Sequence, residues 1–262
     1  MADDAVTRFD DPTHPDSRRA FHSPKAWARL FIVLLIGMGI DLGSKSWTFA
    51  NVTDAPVILD RQQLLANRHF NPIPRHDSVT VLPFGLLDFQ LVINRGAVFG
   101  IGEDNRIFFI AFTILALGAG AFVFSRYTQQ RHRIAHIALG LILAGGLGNL
   151  YDRMAYGVVR DFLHMLPGWN LPFGWRWPAG GSSNVFPWVF NVADVMLLVG
   201  IGLFMIHINR VEKQRHEEER AGQEQAAADG HAPDSATAPA TEAATAAPAS
   251  ADRPAAAHAS DS

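Results

Sequence analysis

The chain has 262 residues, a formal net charge of −3 and no cysteine. The missing thiol removes cysteine nucleophiles, disulfides and thiolate metal ligands. The small negative charge, with acidic residues gathered toward the two ends, gives no basis for a nucleic-acid partner.

Residues 1–24 form a polar N-terminal segment, and Ala26 to Trp47 is the first apolar run, close to the ~20 residues that a helix needs to cross the hydrocarbon of a bilayer. The leader before it is long and no small-residue cleavage site follows it, so the run reads as an uncleaved membrane helix rather than a signal sequence. Three further runs, Ile107 to Phe124, Ile134 to Leu150 and Val192 to Ile208, also match a membrane crossing. The expected fold is therefore an all-α membrane protein with four transmembrane helices (26–47, 107–124, 134–150, 192–208) within a membrane domain spanning 25–210. Residues 211–262 are charged and then rich in Ala and Pro; from about Gly222 they carry too little apolar surface to offset the entropy of ordering, and a disordered tail is expected.

Arg18, Arg19, Lys25 and Arg29 precede the first run, Arg126, Arg131 and Arg133 crowd the loop between the second and third, and Arg210, Lys213 and Arg215 follow the fourth. The positive-inside bias places those segments and both termini in the cytoplasm. The two long connections, 48–106 and 151–190, belong outside. In the first, Leu87, Phe89, Leu91 and Ile93 alternate with Asp88, Gln90 and Val92, a period-two strand signal that opens on the turn Pro83-Phe84-Gly85. A small β-sheet on the outer face is expected. The second holds Trp169, Trp175, Trp177 and Trp188 among prolines and glycines, a composition suited to lying on the membrane surface.

Depth along each helix brings polar residues from separate stretches to one level. Asp41 lies ~22 Å and Lys45 ~28 Å from the cytoplasmic start of the first helix at ~1.5 Å per residue. Asn149, Asp152 and Arg153 lie at the outer end of the third, and Asn191 and Asp194 at the outer start of the fourth. Each has a plain structural reading: Asp41 and Lys45 are spaced as an intrahelical ion pair, Asp152-Arg153 as an interface anchor, Asn191 as a helix cap with Asp194 in the first turn, and Gly145, Gly146 and Gly148 as helix-packing residues. His136 and His164 show no metal-ligand spacing with a nearby acid, so no metal or other cofactor is expected. Convergence favours chemistry: two carboxylates at one level form an aspartic dyad in which one keeps a proton while the other activates water. Depth alone leaves Asp152 and Asp161 both open as the partner of Asp194.

Five stretches, Asp41-Leu-Gly-Ser-Lys45, Asn94-Arg-Gly-Ala-Val-Phe99, Gly145-Gly-Leu-Gly-Asn-Leu-Tyr-Asp-Arg153, Val159-Arg-Asp-Phe162 and Phe190-Asn-Val-Ala-Asp194, resemble the motifs of the lipoprotein signal peptidases (signal peptidase II). The resemblance runs from about Trp27 to His207. It implies an intramembrane aspartic endopeptidase of the bacterial inner membrane that cuts signal peptides from prolipoproteins on the N-terminal side of a diacylglyceryl-modified cysteine, with its site facing the periplasmic side. It implies Asp161 and Asp194 as the catalytic dyad. Asn94, Asn149, Arg153 and Asn191 would line the site, and Asp41, Lys45, Gly96, Asp152 and Ala193 would support it. Arg160 departs from the aliphatic residue common at its place, and the Trp-rich stretch 167–188 is a longer connection than the motifs require, expected to form a flap over the site.

A small membrane transporter or ion relay through Asp41, Lys45 and Asp194 is the competing reading. It calls for charges spread through the bilayer depth and an inverted repeat; the charges cluster at one level and no repeat is present in the sequence. A Ser44-Lys45 pair is a poor nucleophile and base, because adjacent residues on a helix do not face each other.

Overall fold

The structure is a computed structural model and describes residues 19–96, 106–178 and 181–228. Five α-helices are present in these residues: α1 (Pro24–Asn51), the short α2 (Arg61–Ala66), α3 (Arg106–Tyr127), α4 (Arg133–Ala155) and α5 (Val192–Ala228). The four long ones are apolar enough to cross a membrane. α1 begins where Ser23 caps it through a 3.3 Å bond from the Ala26 N–H, with Pro24 in the first turn, where its lack of an N–H costs no helix bond.

α4 is the centre of the bundle. In its membrane window 61% of residues are buried, against 6% to 22% in the other three. Successive glycines turn this helix toward different neighbours. A Cβ on Gly145 would run into the Ala193 carbonyl and Leu197 of α5, one on Gly146 would meet Leu117 of α3 at 3.1 Å, and one on Gly148 would strike the Asp41 carboxylate of α1. Small residues let helix backbones approach where lipid supplies no hydrophobic drive to pack, and the packing role expected for these glycines is the one observed.

The helices extend past their apolar runs because hydropathy marks the span and not the helix. α4 continues through Tyr151–Ala155 and α1 through Thr48–Asn51. The largest difference is at the C-terminus: the segment from 211 begins as helix, and α5 continues to Ala228 instead of stopping at Ile208. Its Glu, Gln, Lys, Arg and Ala residues are strong helix formers, with Lys213 and Glu217 paired at 3.8 Å across one turn. The tail beyond Ala228 lies outside the described residues.

Four antiparallel strands, β1 (Val79–Leu82), β2 (Leu87–Asn94), β3 (Val159–Met165) and β4 (Val189–Phe190), form one sheet in that order. β2 and the turn before it are as read from the sequence. β3 was hidden because Val159, Arg160, Asp161 and Phe162 are all buried, so no alternation marks it. Phe49 of α1, Leu91 of β2 and Phe162 of β3 share a core that fixes the sheet on the helix ends. Register sets Val92 opposite Asp161 and Asn94 opposite Val159, and β4 passes directly into α5.

Candidate active site

The C-terminal ends of α1 and α4 hold a buried charge cluster. Lys45 Nζ donates to Asp41 Oδ2 at 2.8 Å and to Asn149 Oδ1 at 2.9 Å, and lies 3.5 Å from Asp152 Oδ2. Arg160 reaches Asp152 from β3: its Nη2 donates to Oδ1 at 2.8 Å, and its own backbone N–H donates to Oδ2 at 3.0 Å. Asp41, Lys45 and Asp152 have no exposed surface. Two carboxylates and two cations are therefore packed together in a volume closed to water, and leaving a buried carboxylate with no cation costs about 3–5 kcal/mol.

Adjacency in the sequence does not set these pairings. Arg153 does not hold its neighbour Asp152, and Arg160 does not hold its neighbour Asp161. Successive residues on a helix point ~100° apart and successive strand residues point to opposite faces. Arg160 therefore turns back to Asp152 and covers the Tyr156 ring at 4.7 Å. Arg153 turns the other way, donating weakly to the Asn149 carbonyl at 3.3 Å and the Gly96 carbonyl at 3.4 Å, with its guanidinium 5.2 Å from the Phe109 ring.

Beside this cluster, Asp161 and Asp194 are held by neutral amides. Asn94 Nδ2 donates to Asp161 Oδ2 at 2.9 Å, and Asn191 Nδ2 donates to Asp161 Oδ1 at 2.6 Å. Asn149 Nδ2 donates to Asp194 Oδ1 at 2.9 Å. The amide orientations follow from the cation next door: Asn149 must turn its oxygen to Lys45, so its nitrogen faces Asp194. That same oxygen accepts from Asn191 Nδ2 at 3.1 Å, which links the two amides. Asn191 and Asp194 also cap α5 reciprocally, Asn191 Oδ1 accepting from the Asp194 N–H at 3.2 Å and Asp194 Oδ2 from the Asn191 N–H at 3.1 Å. The cap read from the sequence is present, and its carboxylate still has Asn149 on the other oxygen.

The remaining candidates act through backbone. The Ala193 N–H donates to Asp41 Oδ1 at 2.9 Å, joining the start of α5 to the charge cluster. The Gly96 N–H donates to Asn94 Oδ1 at 3.0 Å, which aims the Asn94 amide nitrogen at Asp161. Residues 97–99 of the second motif lie outside the described residues. Sequence reading assigned no role to Arg95, whose guanidinium donates to the Leu64 carbonyl at 2.7 Å and the Phe70 carbonyl at 2.9 Å, tying the α2 segment to the end of β2.

Burial, and next the charge of Asp194, push the Asp161 carboxyl up from 3.8 to about 7, against the opposing effect of its two amide donors and Lys45. Asp161 is 1% exposed, whereas Asp194 is half-buried. The two carboxyls thus differ in environment, which is the condition for one to carry a proton while the other is ionised. Among the described residues no three His, Asp or Glu side chains group as metal ligands. In the Trp-rich segment expected to form a flap over the site, the Trp169 indole instead donates to the Phe84 carbonyl at the β1–β2 turn, at the opposite end of the sheet from Asn94.

The chain is similar to known proteins of one family. The family profile described as Signal peptidase (SPase) II matches residues 32–210. A lipoprotein signal peptidase of Symbiobacterium thermophilum is 38% identical over 139 residues, 53% of this chain and 80% of that protein. Another, of an Anaeromyxobacter species, is 31% identical over 202 residues, 73% of this chain and 88% of the relative. A solved bacterial membrane enzyme aligns with a TM-score of 0.50 at 25% identity, covering 70% of this chain and 88% of that structure. With the profile covering most of the chain and all five motifs inside it, the chain belongs to the signal peptidase II family.

Proposed function

We propose that this multi-pass membrane protease cleaves the signal peptide from prolipoproteins with Asp161 and Asp194 as its catalytic dyad, on the N-terminal side of a diacylglyceryl-modified cysteine. The observation that carries the assignment is the framing of these two acids by asparagine amides, while Asp41 and Asp152 are bound to cations. Neutral amides orient a carboxyl without supplying a countercharge, which suits an acid that must take and give a proton.

Asp194 in its ionised form takes a proton from a water molecule as the water oxygen attacks the scissile carbonyl carbon. Asp161, protonated below about pH 7, donates to the carbonyl oxygen. The tetrahedral diol then collapses: the C–N bond breaks, the amine nitrogen takes the proton held by Asp194, and Asp161 recovers its own from the diol. One water is consumed and neither acid is changed. Asn94, Asn149 and Asn191 hold both carboxyls in place, and Arg153 adds positive charge beside them.

The cationic helix ends support a bacterial inner-membrane orientation with the site toward the periplasmic side. Phe108 and Phe112, on the first turns of α3 near Phe109 and Arg153, are open to the bilayer and give acyl chains an apolar wall. The test is cleavage in proteoliposomes of one precursor with and without its diacylglyceryl group, followed by N-terminal analysis of the product. Cleavage of the lipidated form alone, leaving modified cysteine first, is expected. Equal cleavage of both forms contradicts the substrate assignment.

A further inference from the structure

Three non-glycine residues have positive φ among the described ones, and all three are large and apolar: Phe84 (62°), Leu166 (50°) and Phe173 (60°). Bulky side chains rarely adopt this backbone region. Phe84 and Leu166 belong to one corner of the molecule. The Leu166 N–H donates to the Leu86 carbonyl at 3.1 Å, and the Trp169 indole donates to the Phe84 carbonyl at 3.1 Å. Phe173 follows on the same loop. In water these conformations gain nothing from the side chains they present, for Phe84 is 85% exposed and Phe173 is 92% exposed.

The chemistry of the corner is uniform. From Val79 to Leu86 and from Met165 to Trp175 there is no ionisable side chain, and the charged groups Asp88, His164 and Arg176 stand at its edges. Leu86, Met165, Trp169 and Trp175 are exposed beside the two phenylalanines. The patch is also continuous with the surface that faces lipid. On α1 the exposed stripe Phe31, Leu35, Ile36 and Ile40 leads to Trp47, whose ring lies 6.0 Å from that of Phe89 in β2. The middle of β2 is therefore level with the last turns of a membrane helix, and the hairpin tip lies ~13 Å farther along at ~3.3 Å per residue.

We propose that the β1–β2 tip and the tryptophan loop form one wedge that inserts into the headgroup region of the leaflet covering the Asp161 end of the bundle. Trp and Phe without neighbouring charge suit that region, where an apolar ring is buried and the indole N–H keeps a polar partner. The wedge secures the sheet against the bilayer from the side opposite the site. This inference rests on the four helices being membrane spans and is independent of the peptidase chemistry.

The chain has no cysteine, so single labels are unambiguous. Spin labels are placed on Phe173→Cys, Phe84→Cys, Leu35→Cys as the lipid reference and Arg75→Cys as the water reference, in full-length protein in phospholipid nanodiscs. Labels at 84 and 173 are expected to collide with oxygen several-fold more than with a water-soluble nickel complex, relative to the label at 75, and to fall between the labels at 75 and 35. Three outcomes overturn the proposal: nickel access equal to that at 75, exclusion of both reagents, which marks a protein contact, or one site in lipid and the other in water. Phe173 is nearly fully exposed, so its replacement removes no core contact, and Trp175→Cys supplies a further site on the loop if Phe84→Cys does not fold.

Discussion

Two pairs of acids lie side by side at one end of this bundle, and they are held in opposite ways. Asp41 and Asp152 are matched by Lys45 and Arg160, charge against charge, in a region without solvent. Asp161 and Asp194 are held by Asn94, Asn149 and Asn191, which supply hydrogen bonds and no charge. The first arrangement fixes position, because removing one partner leaves a buried charge uncompensated. The second orients its acids without supplying a countercharge. Asn149 joins them: its oxygen belongs to Lys45 and its nitrogen to Asp194, so the charged cluster sets the geometry of the amide-framed acids.

The largest expected effect comes from breaking the charged side. Lys45→Met leaves Asp41 without its cation and weakens the hold on Asp152, and thermal unfolding in detergent should register a loss of about 3–5 kcal/mol. Gly148→Ala tests the same cluster by crowding it. A methyl group there strikes the Asp41 carboxylate, and a destabilisation of about 1–3 kcal/mol is expected, typical of overpacking. Arg160→Leu is milder, since Lys45 remains with Asp152: a loss of about 1–2 kcal/mol in stability is expected, given the lost charged hydrogen bonds. Once folded, this variant should keep the alkaline limb of its pH–rate profile near pH 7. A shift of that limb by a full unit would mean that Arg160 acts on the amide-framed pair after all.

The pH response sharpens the comparison from the other side. The folded-state value of Asp161 is raised above its ordinary one, so its proton is bound more tightly in the folded chain. The stability from that proton is fully present below about pH 4 and is lost as pH rises toward about 7. Cleavage should fall about tenfold per unit above that point if a protonated Asp161 is required. Unfolding of Asp161→Asn followed between pH 5 and 8 should lack the corresponding downward slope of the wild type.

How much of this was legible differs by kind of signal. The four spans, the strand at Leu87–Ile93 and the shared level of Asp41, Asn149 and Asp194 follow from hydropathy, alternation and rise per residue. The sequence alone could not say which cation each acid meets, because Asp152-Arg153 and Arg160-Asp161 are neighbours in the chain and not in space. Recognising Val159–Met165 as a strand would have turned Arg160 away from Asp161, but a strand buried on both faces shows no period. The extension of α5 was missed for a related reason: the helix-forming residues after Ile208 carry no apolar face. The site of the tryptophan loop depends on the Trp169–Phe84 bond, which joins residues far apart in sequence and leaves no local trace.

The central claim is that amide-framed acids do the chemistry and cation-framed acids hold the frame. The most direct measurement is single-turnover cleavage of a diacylglyceryl-modified precursor by wild type, Asp161→Asn, Asp194→Asn and Asp152→Asn, each shown to be folded in the same detergent. Asp161→Asn and Asp194→Asn should lose at least ~10³-fold in rate while staying folded. Asp152→Asn should lose stability yet retain measurable cleavage per folded molecule. Near-wild-type cleavage by either Asp161→Asn or Asp194→Asn, or a folded Asp152→Asn as inactive as they are, would contradict the account.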